Sequence, residues 1–270
     1  MDEGGRINKG WVRKSAGRVL GFFFFLGRRA KKTRVFVLIS LLPVLQATII
    51  KTSELSGRAP AGEGLAIFSN FLMIFYLQFF LVILTLFYGT SVASEETEGR
   101  TLPFLQTRPL SKPGIVLGKY TAYCLLTSLI ILASLLASFL ILAGERLGSP
   151  AAWEIFLRSA AVLVLGILCY TAFFTFLGVL LKRSLFVGLI FGFGWESVIS
   201  FFPGSTQRFS IVHYLKSLLP AAPRGRFSFL MFRLEPTRPA LALLALVLIT
   251  AFFLGLAGLL FRWKEYLAED

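Results

Sequence analysis

The residues best placed to do something other than pack are three carboxylates, Glu95, Glu96 and Glu98. Gly99, Arg100 and Thr101 follow, then an apolar run through Leu102, Phe104 and Leu105, and then Arg108 and Pro109. This set holds no nucleophile beside a base, so its chemistry is recognition. A short helix with acidic residues at its start is favoured by its own dipole, and Pro103 is tolerated in a first turn. Leu102, Phe104 and Leu105 would supply an apolar anchor, with Arg108 and Lys112 as rim charges. A plain connector of this length needs neither a Leu-Pro-Phe-Leu run nor a proline-punctuated exit, so the segment reads as a docking element.

Glu196 is the second candidate, in the order Gly194, Trp195, Glu196, Ser197 within an otherwise apolar stretch. An ionisable group there faces a cavity, a partner or water. Two roles fit it. Glu196 and Ser197 line a pathway or a dimer interface, or Glu196 lies near the outer interface beside Trp195 and relieves its burial by snorkelling. Gln78, with Asn70, Thr121, Thr127 and Thr171, adds polar groups inside apolar runs, where they line a path or bond helix to helix. His213 is the only histidine, and Cys124 and Cys169 both fall in apolar runs as small packing residues. No metal set, phosphate-cradling GxxxxGK[ST] loop, HExxH or GxSxG is present, so neither catalysis nor a cofactor is expected in this chain.

The elements that position these residues follow from composition. The 270 residues are 56% hydrophobic, with a mean hydropathy of +0.76. That excludes a water-soluble domain, and the charges are gathered into blocks between apolar runs of membrane-crossing length. Six runs are read as spans: residues 35–50, 65–93, 121–143, 159–181, 184–202 and 241–261. Continuous apolar runs mean helices, because a barrel would alternate over segments of about 10 residues. Glycines Gly188, Gly192 and Gly194 would also permit 184–202 to be a re-entrant hairpin.

Lys and Arg set the orientation. Ten of them lie in the first 34 residues, placing the N-terminus in the cytoplasm. Six spans then put both termini and the 94–119 loop inside, and 263–270 becomes a cytoplasmic tail. The 203–239 loop falls outside despite its arginines. Within it Phe209, Val212, Leu215 and Leu219 recur at helical spacing, which predicts an interfacial helix. In the basic segment 1–34, Trp11 to Leu26 predicts an amphipathic helix in the cytoplasmic interface, or a slanted extension of the first span. The net charge of +14 sits mostly beside spans, where it fixes topology and attracts anionic headgroups, so no nucleic-acid partner is expected.

The 95–119 segment resembles the signature of permease subunits of type-2 ABC transporters. Its pieces are the acidic turn Glu95 to Gly99, Thr101 with Leu102 and Leu105, the turn from Arg108 to Lys112, and Ile115 to Lys119 opening the third span. Arg100 separates Gly99 from Thr101 where many members run G-T-L directly. The resemblance implies an all-α integral membrane fold of six transmembrane helices. It adds a cytoplasmic amphipathic N-terminal helix, and a cytoplasmic coupling helix between spans two and three. It implies docking on a separate ATPase, two copies of which hold ATP and Mg2+, and pairing with a second permease copy or a homologous permease. The expected role is export of a hydrophobic or amphiphilic substrate across the plasma membrane, a bacterial inner membrane. A non-transporting anchor that docks a soluble partner is the other reading.

Overall fold

The computed structural model describes residues 9–57, 64–98, 112–201, 205–219 and 237–263, and every regular element among them is a helix. The first, α1 (Lys9–Arg29), ends at Ala30, whose extended backbone (φ −63°, ψ 143°) turns the chain into α2 (Lys31–Ile39). That break makes α1 a separate helix and not an extension of the first span. Val19 and Phe23 on one of its faces pack against Ile115 and Ala122, while Phe22, Phe25 and Leu26 are exposed, as an amphipathic helix requires.

The first span is α2 followed by α3 (Leu41–Leu55), bent at Ser40. Pro43, in the first turn of α3, has no amide hydrogen to give to the preceding turn, which accounts for the bend. The carbonyl of Ser40 accepts the hydroxyl of Ser134 at 2.6 Å, and Ser134 lies 2.7 Å from the Tyr76 hydroxyl. A broken helix inside a membrane is tolerated when neighbours satisfy the freed backbone, and the Ser134 hydroxyl, itself held by Tyr76, does so here.

Tyr76 belongs to α4, which runs without a break from Gly64 to Glu98 and contains two π-helical turns, Phe68–Leu72 and Tyr76–Phe80. It is followed by α5 (Lys112–Ala143) and α6 (Pro150–Leu180). Helices α4 and α6 pack closely, which two glycines make possible. A Cβ on Gly178 would lie 2.7 Å from the carbonyl oxygen of Thr90, and one on Gly89 would lie 2.7 Å from Phe174 Cβ. Only hydrogen fits there, which is how small residues bring membrane helices together.

Next come α7 (residues 184–201), the short α8 (Ile211–Leu218) and α9 (Pro239–Trp263). Five stretches are long and apolar enough to cross a membrane: Lys31–Leu55, Gly64–Val92, Gly114–Ala143, Pro150–Leu180 and Pro239–Phe261. The sixth segment, α7, is one helix through the π turn Ile190–Trp195, without the reversal a hairpin needs. Its 18 residues reach about 27 Å, close to a hydrocarbon core of roughly 30 Å, and its apolar part ends at Trp195. The core lies among α4, α5 and α6, whereas α9 is peripheral, with Leu243, Leu244, Leu248 and Phe252 exposed.

Most polar residues in the spans bond to their own helix. Asn70 donates to the carbonyl of Ala66 at 2.9 Å and Thr121 to that of Leu117 at 2.8 Å. Cys124 and Cys169 are buried free thiols.

Candidate functional site

Two polar clusters stand out, one at each end of the bundle. At the basic end, the last turn of α4 carries Glu95, Glu96 and Glu98, and α5 resumes at Lys112. Gly99, Arg100, Thr101, Leu102, Phe104, Leu105, Arg108 and Pro109 lie outside the described residues, so the expected coupling helix does too. What is described is the stem on either side.

That stem is held by two buried or half-buried lysines. Lys119, 1% exposed on α5, donates to the carbonyl of Val92 on α4 at 3.2 Å and sits 4.4 Å above the Phe23 ring of α1. Lys32 on α2 donates to the hydroxyl of Ser91 at 3.2 Å and lies 5.3 and 5.0 Å from the Tyr88 and Tyr123 rings. Beside it Thr33 is 2.7 Å from the Tyr88 hydroxyl. A buried ammonium is expensive unless its protons find acceptors, and a carbonyl with an aromatic face supplies both hydrogen bonding and charge stabilisation. The two lysines therefore tie both arms of the stem to each other and to α1 and α2.

At the other end, Glu196 on α7 is 5% exposed. Its Oε1 accepts the Tyr170 hydroxyl at 2.8 Å and the Ile211 amide at 3.2 Å, and its Oε2 accepts the Ser210 hydroxyl. Ser210 is the N-cap of α8, and its oxygen also accepts the His213 amide at 3.4 Å. Glu196 thus places a carboxylate against the N-terminus of a neighbouring helix, where amides and the dipole favour negative charge. It does not snorkel, because donors from α6 and α8 meet it inside the protein.

The interfacial helix predicted from 209–219 is correspondingly drawn inward. Ile211, Val212, His213 and Leu215 of α8 are buried against α6 and α9, while Phe209, outside the helix, is 77% exposed. The His213 ring nitrogen Nε2 is 2.9 Å from the Thr237 hydroxyl, and the Thr237 amide donates to Ser217 at 3.2 Å. Burial, with Arg208 and Lys216 nearby, holds the His213 pKa below its ordinary value. Burial also lowers the Lys216 pKa, against a pull upward from Glu196. Gln78 is half-buried on the second π turn, which packs against α8, and it is not among the residues that bond Glu196 in the structure. Ser197 follows Glu196 on α7.

Sequence reasoning missed Tyr170, Ser210 and Lys32. The available signal was indirect: a carboxylate inside an apolar segment requires donors, and a tyrosine in a neighbouring span is the most economical source. Lys119 was visible as part of the loop motif, but not its burial. Among the described residues no group of three or more His, Cys, Asp or Glu could hold a metal ion.

Among the described residues both clusters fix one helix to another. Residues 28–202, well over half of the chain, match the model of the family described as ABC-2 family transporter protein. The chain belongs to the ABC-2 transporter family. As an ABC-2 transporter protein it is a multi-pass membrane component of an ABC transporter, a transport subunit and not itself the catalyst. No curated protein matches the sequence. The ABC-2 match begins at the end of α1 and covers the lysine-tied stem and Glu196, stopping just before α8.

Proposed function

We propose that this chain is the permease half of an ATP-driven exporter of hydrophobic or amphiphilic molecules. A separate ATPase docks on the 94–119 loop, two ATPases serving two permease copies or a copy and a homologue. ATP and Mg2+ reside on that partner. The basic end, with both termini, faces the cytoplasm of a bacterial cell, and the protein sits in the inner membrane.

The observation that carries this reading is the paired tie at the stem. With Lys119 holding Val92 and Lys32 holding Ser91, a push on the loop moves α1, α2, α4 and α5 together and is not absorbed in one helix end. A connector with no mechanical duty has no need to bury an ammonium there. Few charges lie in the spans, which favours an apolar or amphiphilic cargo over an ionic one.

The test is co-purification of the tagged full chain in nanodiscs with its soluble ATPase. It is run beside a variant in which Glu95, Glu96 and Glu98 become Ala and Leu102 and Phe104 become Ser. An ATPase retained by the native chain and lost with the variant supports coupling. An ATPase indifferent to the loop, or none at all, makes the chain an anchor instead.

A further inference from the structure

We propose that the chain carries a site for an anionic phospholipid at the bend between α1 and α2. A groove of about 430 Å³ opens there between α2 and α5. Leu126 and Ile130 of α5 form its buried floor, and the exposed Val37, Leu38 and Leu129 form its walls. Those surfaces are apolar throughout and suit an acyl chain.

Arg28 and Arg34 also line the groove, one at the end of α1 and one in the first turn of α2. Their neighbours are engaged elsewhere. The Arg29 guanidinium lies 4.5 Å above the Phe25 ring, and Lys32 points to Ser91 and two tyrosine rings. Among the described residues no carboxylate lines the groove, and the Arg34 guanidinium reaches the Arg29 carbonyl at 3.5 Å.

The start of α2 adds to the positive field. Its N-cap is Ala30, which has no side chain to accept from the first-turn amides, so the positive end of the helix dipole faces the same region. Two arginines at a helix N-terminus above an apolar slot match a phosphate headgroup joined to a fatty chain. The bend itself is built around this point: the side chain position of Gly27 would meet Leu126 Cδ1 at 2.5 Å, so α1 closes directly over α5. A lipid seated there touches the same turn that carries Lys32 and Thr33 to the stem.

The full chain in detergent is titrated with palmitoyl-oleoyl phosphatidylglycerol, with phosphatidylcholine of the same chains, and with soluble glycerol phosphate, and bound lipid is counted by native mass spectrometry. Phosphatidylglycerol should be retained over phosphatidylcholine. Retention should fall about fivefold in Arg28→Gln and about 25-fold in the Arg28→Gln, Arg34→Gln pair. Lys182→Gln with Arg183→Gln, which removes equal charge from exposed positions outside the groove, should leave it unchanged. Leu129→Trp, which fills the slot and keeps both arginines, should also weaken retention.

Several results overturn the site. Equal retention of the two lipids, or an undiminished Arg28/Arg34 double variant, removes the headgroup contact. Unchanged retention in Leu129→Trp, or full competition by glycerol phosphate, removes the acyl slot. A Leu129→Trp variant that loses dimer mass while keeping its lipid makes a second copy of the chain the occupant.

Discussion

Lys119 Nζ and the carbonyl oxygen of Val92 lie 3.2 Å apart across the foot of the 94–119 loop, one on the helix that leads out and one on the helix that leads in. The Phe23 ring at 4.4 Å closes the third side. Because Lys119 is buried, this link is not loosened by water or salt as a surface pair would be. It joins the two arms of the stem, as the proposed lever requires.

Lys119→Met keeps the length and the packing of the stem while removing its donor. Replacing a buried charge with an apolar group of similar volume is often neutral for stability. The variant should therefore fold and bind the ATPase, but transmit less, read as reduced stimulation of ATP hydrolysis by cargo in proteoliposomes. Stimulation equal to that of the native chain would mean that the lever does not run through this lysine.

Glu196→Ala strips the acceptor from Tyr170, Ser210 and Ile211 and leaves buried donors unpaired. Each such group costs about 1–3 kcal/mol, so the melting temperature in detergent should drop well below that of the native chain. Glu196→Gln retains one acceptor oxygen and should lose less than half as much. If the two variants melt alike, the carboxylate is not what seats α8.

Gly178→Ala drives a methyl group to 2.7 Å from the Thr90 carbonyl, a backbone atom that cannot step aside cheaply. Overpacking of this kind costs about 1–3 kcal/mol. Gly258→Ala, on α9 where nothing lies within 4 Å, should be neutral or stabilising by up to about 1 kcal/mol. Thermal unfolding of the pair decides the matter: equal melting points would deny the close α4–α6 contact.

The His213 pKa lies below the ordinary histidine value of 6.5. A base whose folded pKa is depressed binds fewer protons in the folded state, so its stabilisation is complete above pH 6.5 and declines as the pH falls below it. Arg208 and Lys216 push the same way, while Glu196 pulls the Lys216 pKa upward. Protection factors of α8 amides, with exchange normalised to the intrinsic rate at each pH, should fall between pH 7.5 and 5.5 in the native chain and stay flat in His213→Gln. Parallel profiles in both would assign the pH response to another group.

What the sequence determined by itself was the class and the places of the apolar helices. Apolar runs near 20 residues between charge blocks can only be membrane helices, and the basic N-terminal block predicts which end faces the cytoplasm, since both follow from transfer free energies that act residue by residue. The loop's acidic turn, apolar run and proline exit were legible too, because they are contiguous in the chain, and they carry the docking proposal. Tertiary structure alone decided what the isolated charges do. Lys119 and Val92 are 27 positions apart, Lys32 and Ser91 59 apart, and Tyr170 and Glu196 26 apart. No local pattern marks such partners, because a buried charge is satisfied by whichever donor or acceptor the packing brings near. The same reason explains α8: its periodicity announced a helix, but only the packing decided that Ile211, Val212 and Leu215 are buried against α6 and α9 with Glu196 at the helix N-terminus.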